Sequence, residues 1–221
     1  MTSMNEEGVI PFLRKKAEKK TAKVIGWFRR QFGMCYRSAL SEADLFETLR
    51  GKSVALVGNA LSLSERDFGA AIDACDIVIR CNRAPIPDAH SHGARTTFIA
   101  TSIELPEEIM AERGASHILW MSPPRNALPG WIVKWPNFFL YPKKRHEALN
   151  AKMTGRPTTG LMVIELLARS RCRSVALYGF DFFKSQSLSG DRNRTQGPHD
   201  FDAEERFVKA LVAKDRRFSL N

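Results

Sequence analysis

His199 stands in the run Gly197-Pro198-His199-Asp200, where a long polar loop gives way to a segment of apolar residues at helical spacing. An imidazole, with an unperturbed pKa of about 6.5, is mostly neutral at pH 7 and can accept a proton there. A histidine at a loop-to-helix junction is therefore a candidate general base. Pro157-Thr158-Thr159-Gly160 precedes Leu161, Val163, Ile164, Leu166 and Leu167, again at helical spacing. The free N–H groups and hydroxyls of such a helix start make a seat for phosphate or carboxylate; equally, the threonines can simply cap the helix. Asn59 and Asn82 each lie just beyond a short apolar run, at 54–57 and 77–79. Asp200-Phe201-Asp202 has a spacing that can hold a divalent ion, but aspartates at a helix start serve as caps. His90 and His92 alternate without a second ligand pair nearby, which places them in a surface loop and leaves no metal site expected.

The elements that must position these groups begin with residues 53–85. A run β-branched at both ends, a Gly58-Asn59 break, apolar positions Phe68, Ala71, Ile72 and Cys75 at helical spacing and a second apolar run read as strand, turn, helix and strand. That is half of a doubly wound α/β sheet, whose ligands bind at the carboxyl ends of its strands. If the strands are parallel, Asn59 and Asn82 emerge on one edge. Further strands are expected at 97–101, 117–121, 137–141 and 175–178, and helices at 104–113, 143–152 and from Leu161 onward. A last helix, capped by Asp202 with Glu205, runs through Phe207 and Leu211. Residues 122–131, rich in proline, read as an irregular loop.

Bulk properties narrow the classes. With 221 residues, 43% of them hydrophobic, the chain suits one α/β domain with an appendage, and its formal net charge of +10 calls for an acidic partner. The division is a basic amphipathic segment over 1–48 and an α/β domain over 49–221. In the first, Arg14, Lys15, Lys16, Lys19, Lys20, Lys23, Arg29, Arg30 and Arg37 interleave with Ile10, Phe12, Leu13, Val24, Trp27 and Phe28. Residues 8–37 thus fit an anionic membrane surface, or an apolar face packed on the domain with the basic one solvated. No base-reading module follows, so nucleic acid is not expected as a partner. Cys35, Cys75, Cys81 and Cys172 form no C-x-x-C pair, which argues against zinc and against an oxidised framework. No apolar run approaches the roughly 20 residues of a spanning helix, and no secretory signal opens the chain. The expected location is the cytoplasm, peripheral on the inner face of the membrane. The Gly58 turn lacks the further glycines of a dinucleotide fingerprint and the lysine of a P-loop, so NAD and ATP chemistry are disfavoured.

In combination the segments resemble the sialyltransferases of the eukaryotic type (glycosyltransferase family 29) and their bacterial relatives, over roughly residues 50–212. Val57-Gly58-Asn59, Arg80-Cys81-Asn82-Arg83-Ala84-Pro85 and Gly93-Ala94-Arg95-Thr96-Thr97 are similar to the large sialylmotif. Pro157-Thr158-Thr159-Gly160, Cys172 and Leu177-Tyr178-Gly179-Phe180 are similar to the small one, and His199 with Glu204 to the very small one. The resemblance implies a single Rossmann-like domain with a mostly parallel sheet, a GT-A-like variant that needs no metal or other cofactor. It implies an inverting enzyme that moves sialic acid from CMP-sialic acid to a hydroxyl of a glycan or glycolipid. Carried over, Asn59, Asn82, Thr158, Thr159, Gly160 and Gly179 would hold the CMP donor and His199 would be the base. Glu204 would orient either the imidazole or the helix start. Alternatives are a CMP-Kdo-type transferase and a non-catalytic CMP-binding or membrane-bound relative. Two departures stand out. The family's third-motif histidine is absent between Asp181 and Pro198, leaving its contact with the leaving phosphate to Lys184, Arg192 or Arg194. Ser53 stands where the partner of Cys172 in the family disulfide is expected, which fits a reducing cytoplasm.

Overall fold

The computed structural model describes residues 36–83, 85–125, 128–188 and 198–221. The basic segment up to residue 35, together with Arg192 and Arg194, lies outside the described residues.

The strands are β1 (Ser53–Val57), β2 (Ile77–Cys81), β3 (Phe98–Thr101), β4 (His117–Trp120), β5 (Phe138–Leu140), β6 (Ser174–Tyr178) and β7 (Phe218–Leu220). They form a seven-stranded sheet in the order β5-β4-β3-β2-β1-β6-β7, and every pairing is parallel. The chain winds outward from β1 through β5, then returns to place β6 on the other side of β1, paired from Ser53↔Ser174 to Val57↔Tyr178. The order reverses between β1 and β6, and a crevice opens at the carboxyl ends of strands where an open α/β sheet changes winding direction. The sheet is parallel throughout, where the family resemblance implied a mostly parallel one.

Alternation along β1 fills both faces. Val54 and Leu56 join one buried cluster, while Ala55 and Val57 join another with Leu63, Ile72, Val78 and Tyr178, as the two-residue period of a strand requires. The helices are α1 (Glu42–Leu49), α2 (Gly69–Asp73), α3 (Ala89–His92), α4 (Ile109–Glu112), α5 (Gly130–Lys134), α6 (Lys143–Asn150), α7 (Thr159–Arg169) and α8 (Phe201–Lys214). Helix α7 is apolar nearly all round, with Leu161, Met162, Val163, Ile164, Leu166 and Leu167 buried, so it forms the middle of a layer rather than its surface. The boundary drawn at residue 48 falls inside α1, whose Leu45 and Leu49 are buried in the main core. Among the described residues no helix is long and apolar enough to cross a membrane.

Several local expectations shift. The helix read over 104–113 shortens to the single turn of α4, after Pro106. The cap of α8 is Asp200, whose Oδ1 accepts from the Ala203 N–H at 2.9 Å, so the helix starts earlier than an Asp202 cap would place it. Residues 130–134, read as irregular, make the short helix α5. His92, assigned to a surface loop, is fully buried on α3. There Arg80, 1% exposed, donates to the carbonyls of His92, Gly93 and Arg95. Packing around that guanidinium draws the loop inward.

Candidate active site

Four adjacent strands end at one cavity of about 590 Å³. Its lining takes the residue or residues just past each strand: Gly58 and Asn59 after β1, Asn82 and Arg83 after β2, Ser102 after β3, and Gly179 and Phe180 after β6. The starts of α7 and α8 supply the rest, including Arg156, Thr158, Thr159, Gly160, His199 and Glu204. The structure thus brings Asn59, Asn82, Thr158, Thr159, Gly160, Gly179, His199 and Glu204 to one cavity, while Lys184 is not in its lining.

Two glycines permit the strand ends to meet. A Cβ on Gly58 would lie 2.4 Å from the Gly179 carbonyl oxygen, and one on Gly160 would lie 2.7 Å from the Phe180 ring. Neither approach tolerates a side chain, so β1, β6 and α7 converge only because glycine stands at both places. Gly179 itself has φ +67°.

Asn82 has φ +56°, a left-handed conformation that asparagine tolerates better than most residues. Its Oδ1 accepts from the Ser102 N–H at 3.2 Å and lies 3.5 Å from Thr159 Oγ1, which donates to Ser102 Oγ at 2.8 Å. With Oδ1 committed, Nδ2 is the end left for a ligand. Asn59 donates from Nδ2 to the Cys81 carbonyl at 3.2 Å, tying the end of β1 to the end of β2.

The start of α7 divides its donors. Thr158 caps the helix, its Oγ1 accepting from the Leu161 N–H at 3.1 Å. Its own N–H donates to Glu204 Oε1 and its hydroxyl to Glu204 Oε2, each at 2.7 Å. Thr158 therefore offers no donor to the cavity. The amides of Thr159 and Gly160 have no intrahelical acceptor and are the donors that the helix start leaves for an anion. Glu204 is 5% exposed. Burial pushes its carboxyl up to about 7, against the pull of the two hydrogen bonds from Thr158. Of the two roles open to Glu204, its contacts select the helix start.

His199 precedes α8. Its Nδ1 hydrogen-bonds the Arg156 carbonyl oxygen at 2.5 Å, and its ring centroid lies 5.7 Å from that of Phe201. A carbonyl can only accept, so Nδ1 carries the proton and Nε2 is the basic nitrogen. Arg156 N–H donates to the Pro198 carbonyl at 2.7 Å, and a Cβ on Gly155 would meet Asp200 N at 2.5 Å. The loops entering α7 and α8 are thus zipped together, and His199 is fixed relative to the start of α7.

Phe182 and Phe183 have φ +57° and +60°, conformations rare for bulky residues. Phe183 stacks on Phe201 at 4.2 Å, so this strained pair buttresses the helix start beside His199. Lys184, a candidate for the missing third-motif contact, directs its ammonium to Glu205 Oε1 at 2.7 Å. Ser53 Oγ exchanges hydrogen bonds with Asp76, while Cys172 is buried beside Ser170. Among the described residues no group of three or more His, Cys, Asp or Glu side chains could hold a metal ion.

Sequence reasoning missed Ser102, Arg83 and Arg156. Ser102 was within reach, because it follows β3 as Asn59 and Asn82 follow β1 and β2. Arg156 adjoins the Pro157-Thr158-Thr159-Gly160 run yet was passed over.

A sequence model of glycosyltransferase family 29 (sialyltransferase) matches residues 15–123 and 129–216. The chain belongs to this family. It is a sialyltransferase-like glycosyltransferase, and its fold is that of solved sialyltransferases. A mammalian sialyltransferase superposes with a TM-score of 0.58 at 18% identity, covering 90% of this chain and 84% of that one. The sialyltransferase CST-II in complex with CMP gives 0.56 at 17% identity, covering 76% and 80%. Cst-I, a monofunctional alpha-2,3-sialyltransferase from Campylobacter jejuni, gives 0.55 at 12%, covering 77% and 75%. At these identities the superpositions speak to fold.

Proposed function

We propose that this family 29 member transfers sialic acid from CMP-sialic acid to a hydroxyl of a glycan or glycolipid, with inversion and with His199 as general base. The observation that carries this reading is that His199, held as the Nδ1–H tautomer by the Arg156 carbonyl, lines the same cavity as Asn59, Asn82 and the α7 start. The CMP complex of CST-II and the complex of a mammalian sialyltransferase with Gal-beta-1-3GalNAc-ortho-nitrophenol supply the precedent for donor and acceptor.

In the proposed reaction, Asn59, Asn82 and the Thr159 and Gly160 amides hold the nucleotide phosphate end of the donor. The acceptor hydroxyl gives its proton to His199 Nε2 while its oxygen bonds to the anomeric carbon of sialic acid. The bond from that carbon to the phosphate oxygen breaks, and CMP departs with the electron pair. Amides at a helix start stabilise the negative charge that grows on the phosphate. Positioned proton removal contributes typically about 10²–10⁴ in rate. Glu204 acts at one remove, by fixing Thr158 and so the direction in which the next two amides point.

The test is acceptor-dependent release of CMP from CMP-sialic acid, with CMP-Kdo run in parallel. Release from the sialic acid donor that rises with acceptor concentration is expected. Exclusive use of CMP-Kdo, or CMP binding without turnover on any acceptor, would replace this reading.

A further inference from the structure

The chain enters the described fold along the outer edge of β5. The Leu40 N–H donates to the Phe138 carbonyl at 2.9 Å, and the Leu140 N–H donates to Ser38 Oγ at 2.8 Å. That hydroxyl also donates to the Phe138 carbonyl at 3.2 Å. Residue 40 is thus level with 138 and residue 38 with 140, so 38–40 run antiparallel to β5. Traced back, the chain leaves Tyr36 at the carboxyl end of β5. Because every strand pairing is parallel, that end lies on the same edge of the sheet as the cavity past β1, β2, β3 and β6. Strand β5 is two places from β3, about 10 Å at the usual strand spacing.

The corner where the chain leaves is basic. Arg37 is exposed, and so are Lys143, Lys144 and Arg145, which open α6 directly after β5. Arg145 lies 3.9 Å from Glu42, and Glu147 is the acid of α6. Lys143 and Lys144 form no ion pair among the described residues. The same sign continues in the sequence over residues 8–35, where the basic residues from Arg14 to Arg30 face Glu18 alone.

The large hydrophobic side chains exposed among the described residues are Leu61 and Ile103, at 41% and 37%. Leu61 follows β1 and Ile103 follows β3, so both stand on the cavity's edge of the sheet, Ile103 within the lining itself. Charge beside them is mixed: Glu65 and Arg66 follow Leu61, and Glu104, Glu107 and Glu108 follow Ile103. The positive excess therefore sits at the β5 corner, and the apolar tips sit near the cavity mouth. Apolar tips beside a basic corner fit the interfacial layer of a bilayer that contains anionic lipid.

We propose that the carboxyl edge of the sheet docks on an anionic membrane, so that the cavity opens toward the lipid surface and the acceptor is the sugar headgroup of a glycolipid. The basic corner and the segment preceding it meet the lipid phosphates, and Leu61 and Ile103 enter the interface. The acceptor class rests on the proposed sialyl transfer; the docking does not.

The test is co-sedimentation of the full chain with vesicles of phosphatidylcholine, alone or mixed with phosphatidylglycerol. Binding to the mixed vesicles that weakens with salt is expected. Lys143→Gln with Lys144→Gln should weaken it about tenfold or more, each charge near such a surface contributing about fivefold, and Leu61→Ser should weaken it severalfold. Lys52→Gln with Arg171→Gln removes the same charge from the amino edge and should leave binding within about twofold of wild type. Equal losses from the two charge pairs overturn the docking, as does binding to polyuridylate with none to the mixed vesicles. Transfer is then compared on lactosylceramide in mixed vesicles and on lactose. Wild type should favour the lipid, and the Lys143→Gln, Lys144→Gln protein should lose that gain while keeping its rate on lactose. Edge-dependent vesicle binding with no transfer to either acceptor would uphold the docking and sink the sialyl reading. Equal transfer to both acceptors with no vesicle binding would do the reverse.

Discussion

Glu204 and Thr158 are joined twice: the threonine's backbone N–H and its hydroxyl each reach a separate oxygen of one buried carboxylate, at 2.7 Å. The pair links the first turn of α8 to the first turn of α7, so the loop bearing His199 and the start of α7 move as one piece. Removing the acceptor leaves two donors unmatched in a buried place, which costs about 1–3 kcal/mol per group. Glu204→Ala should lower stability by that order and weaken CMP binding as well. Glu204→Gln, which can still accept from the N–H and donate to the threonine oxygen, should retain both. Denaturant unfolding and CMP titration of the two variants check this.

The same carboxyl gives the fold a pH dependence. Its folded value is raised by burial to about 7, above that of an unfolded glutamate. The folded state therefore binds more protons between the two values, and this contribution to stability is full below the unfolded pKa and is lost as pH rises through about 7. Wild type should lose stability across that window, and Glu204→Gln should lose less. Parallel unfolding curves of the two proteins from pH 5 to 8 would contradict the assignment.

Asn82 has a backbone duty and a side-chain duty that can be separated. Asn82→Gly keeps the left-handed conformation free of strain but removes the amide, while Asn82→Ala removes the amide and forces the strain, at about 1 kcal/mol. CMP affinity should fall in both variants, and stability should fall further in the alanine variant. Equal CMP affinity in wild type and Asn82→Gly would remove Asn82 from the donor seat.

Gly58 tests the convergence of strands. A methyl group there meets the Gly179 carbonyl oxygen at 2.4 Å, so Gly58→Ala must push β1 and β6 apart. A destabilisation of about 1–3 kcal/mol is expected from such overpacking. A stable variant with wild-type CMP affinity would contradict the close approach.

We expect transfer without a metal ion, the departing phosphate being met by the α7 amides. Activity after exhaustive chelation should match that of untreated protein, and activity restored only by added divalent cation would refute the expectation.

Much of the architecture was legible because parallel strands buried on both faces read as short β-branched runs, as 54–57 and 77–79 do. That rule, followed one strand further, also reaches Ser102. The edge strand β7 was not legible: Phe218–Leu220 is short, follows a charged stretch and has only one partner to reveal it. His92 was misplaced because its burial depends on Arg80, a residue of strand β2. The partner of Glu204 could not be read either, since it lies 46 residues away and only packing of α7 beside α8 brings them together. Local motifs thus announced which residues meet at the strand ends, while their pairwise contacts are tertiary.

The most direct measurement follows CMP-sialic acid and an acceptor by proton NMR with wild type and His199→Ala, reading both rate and anomeric configuration. The prediction is a product of configuration opposite to the donor, formed about 10²–10⁴ more slowly by the variant while its CMP affinity is kept. Equal transfer rates from the two proteins, or a product of retained configuration, would contradict it.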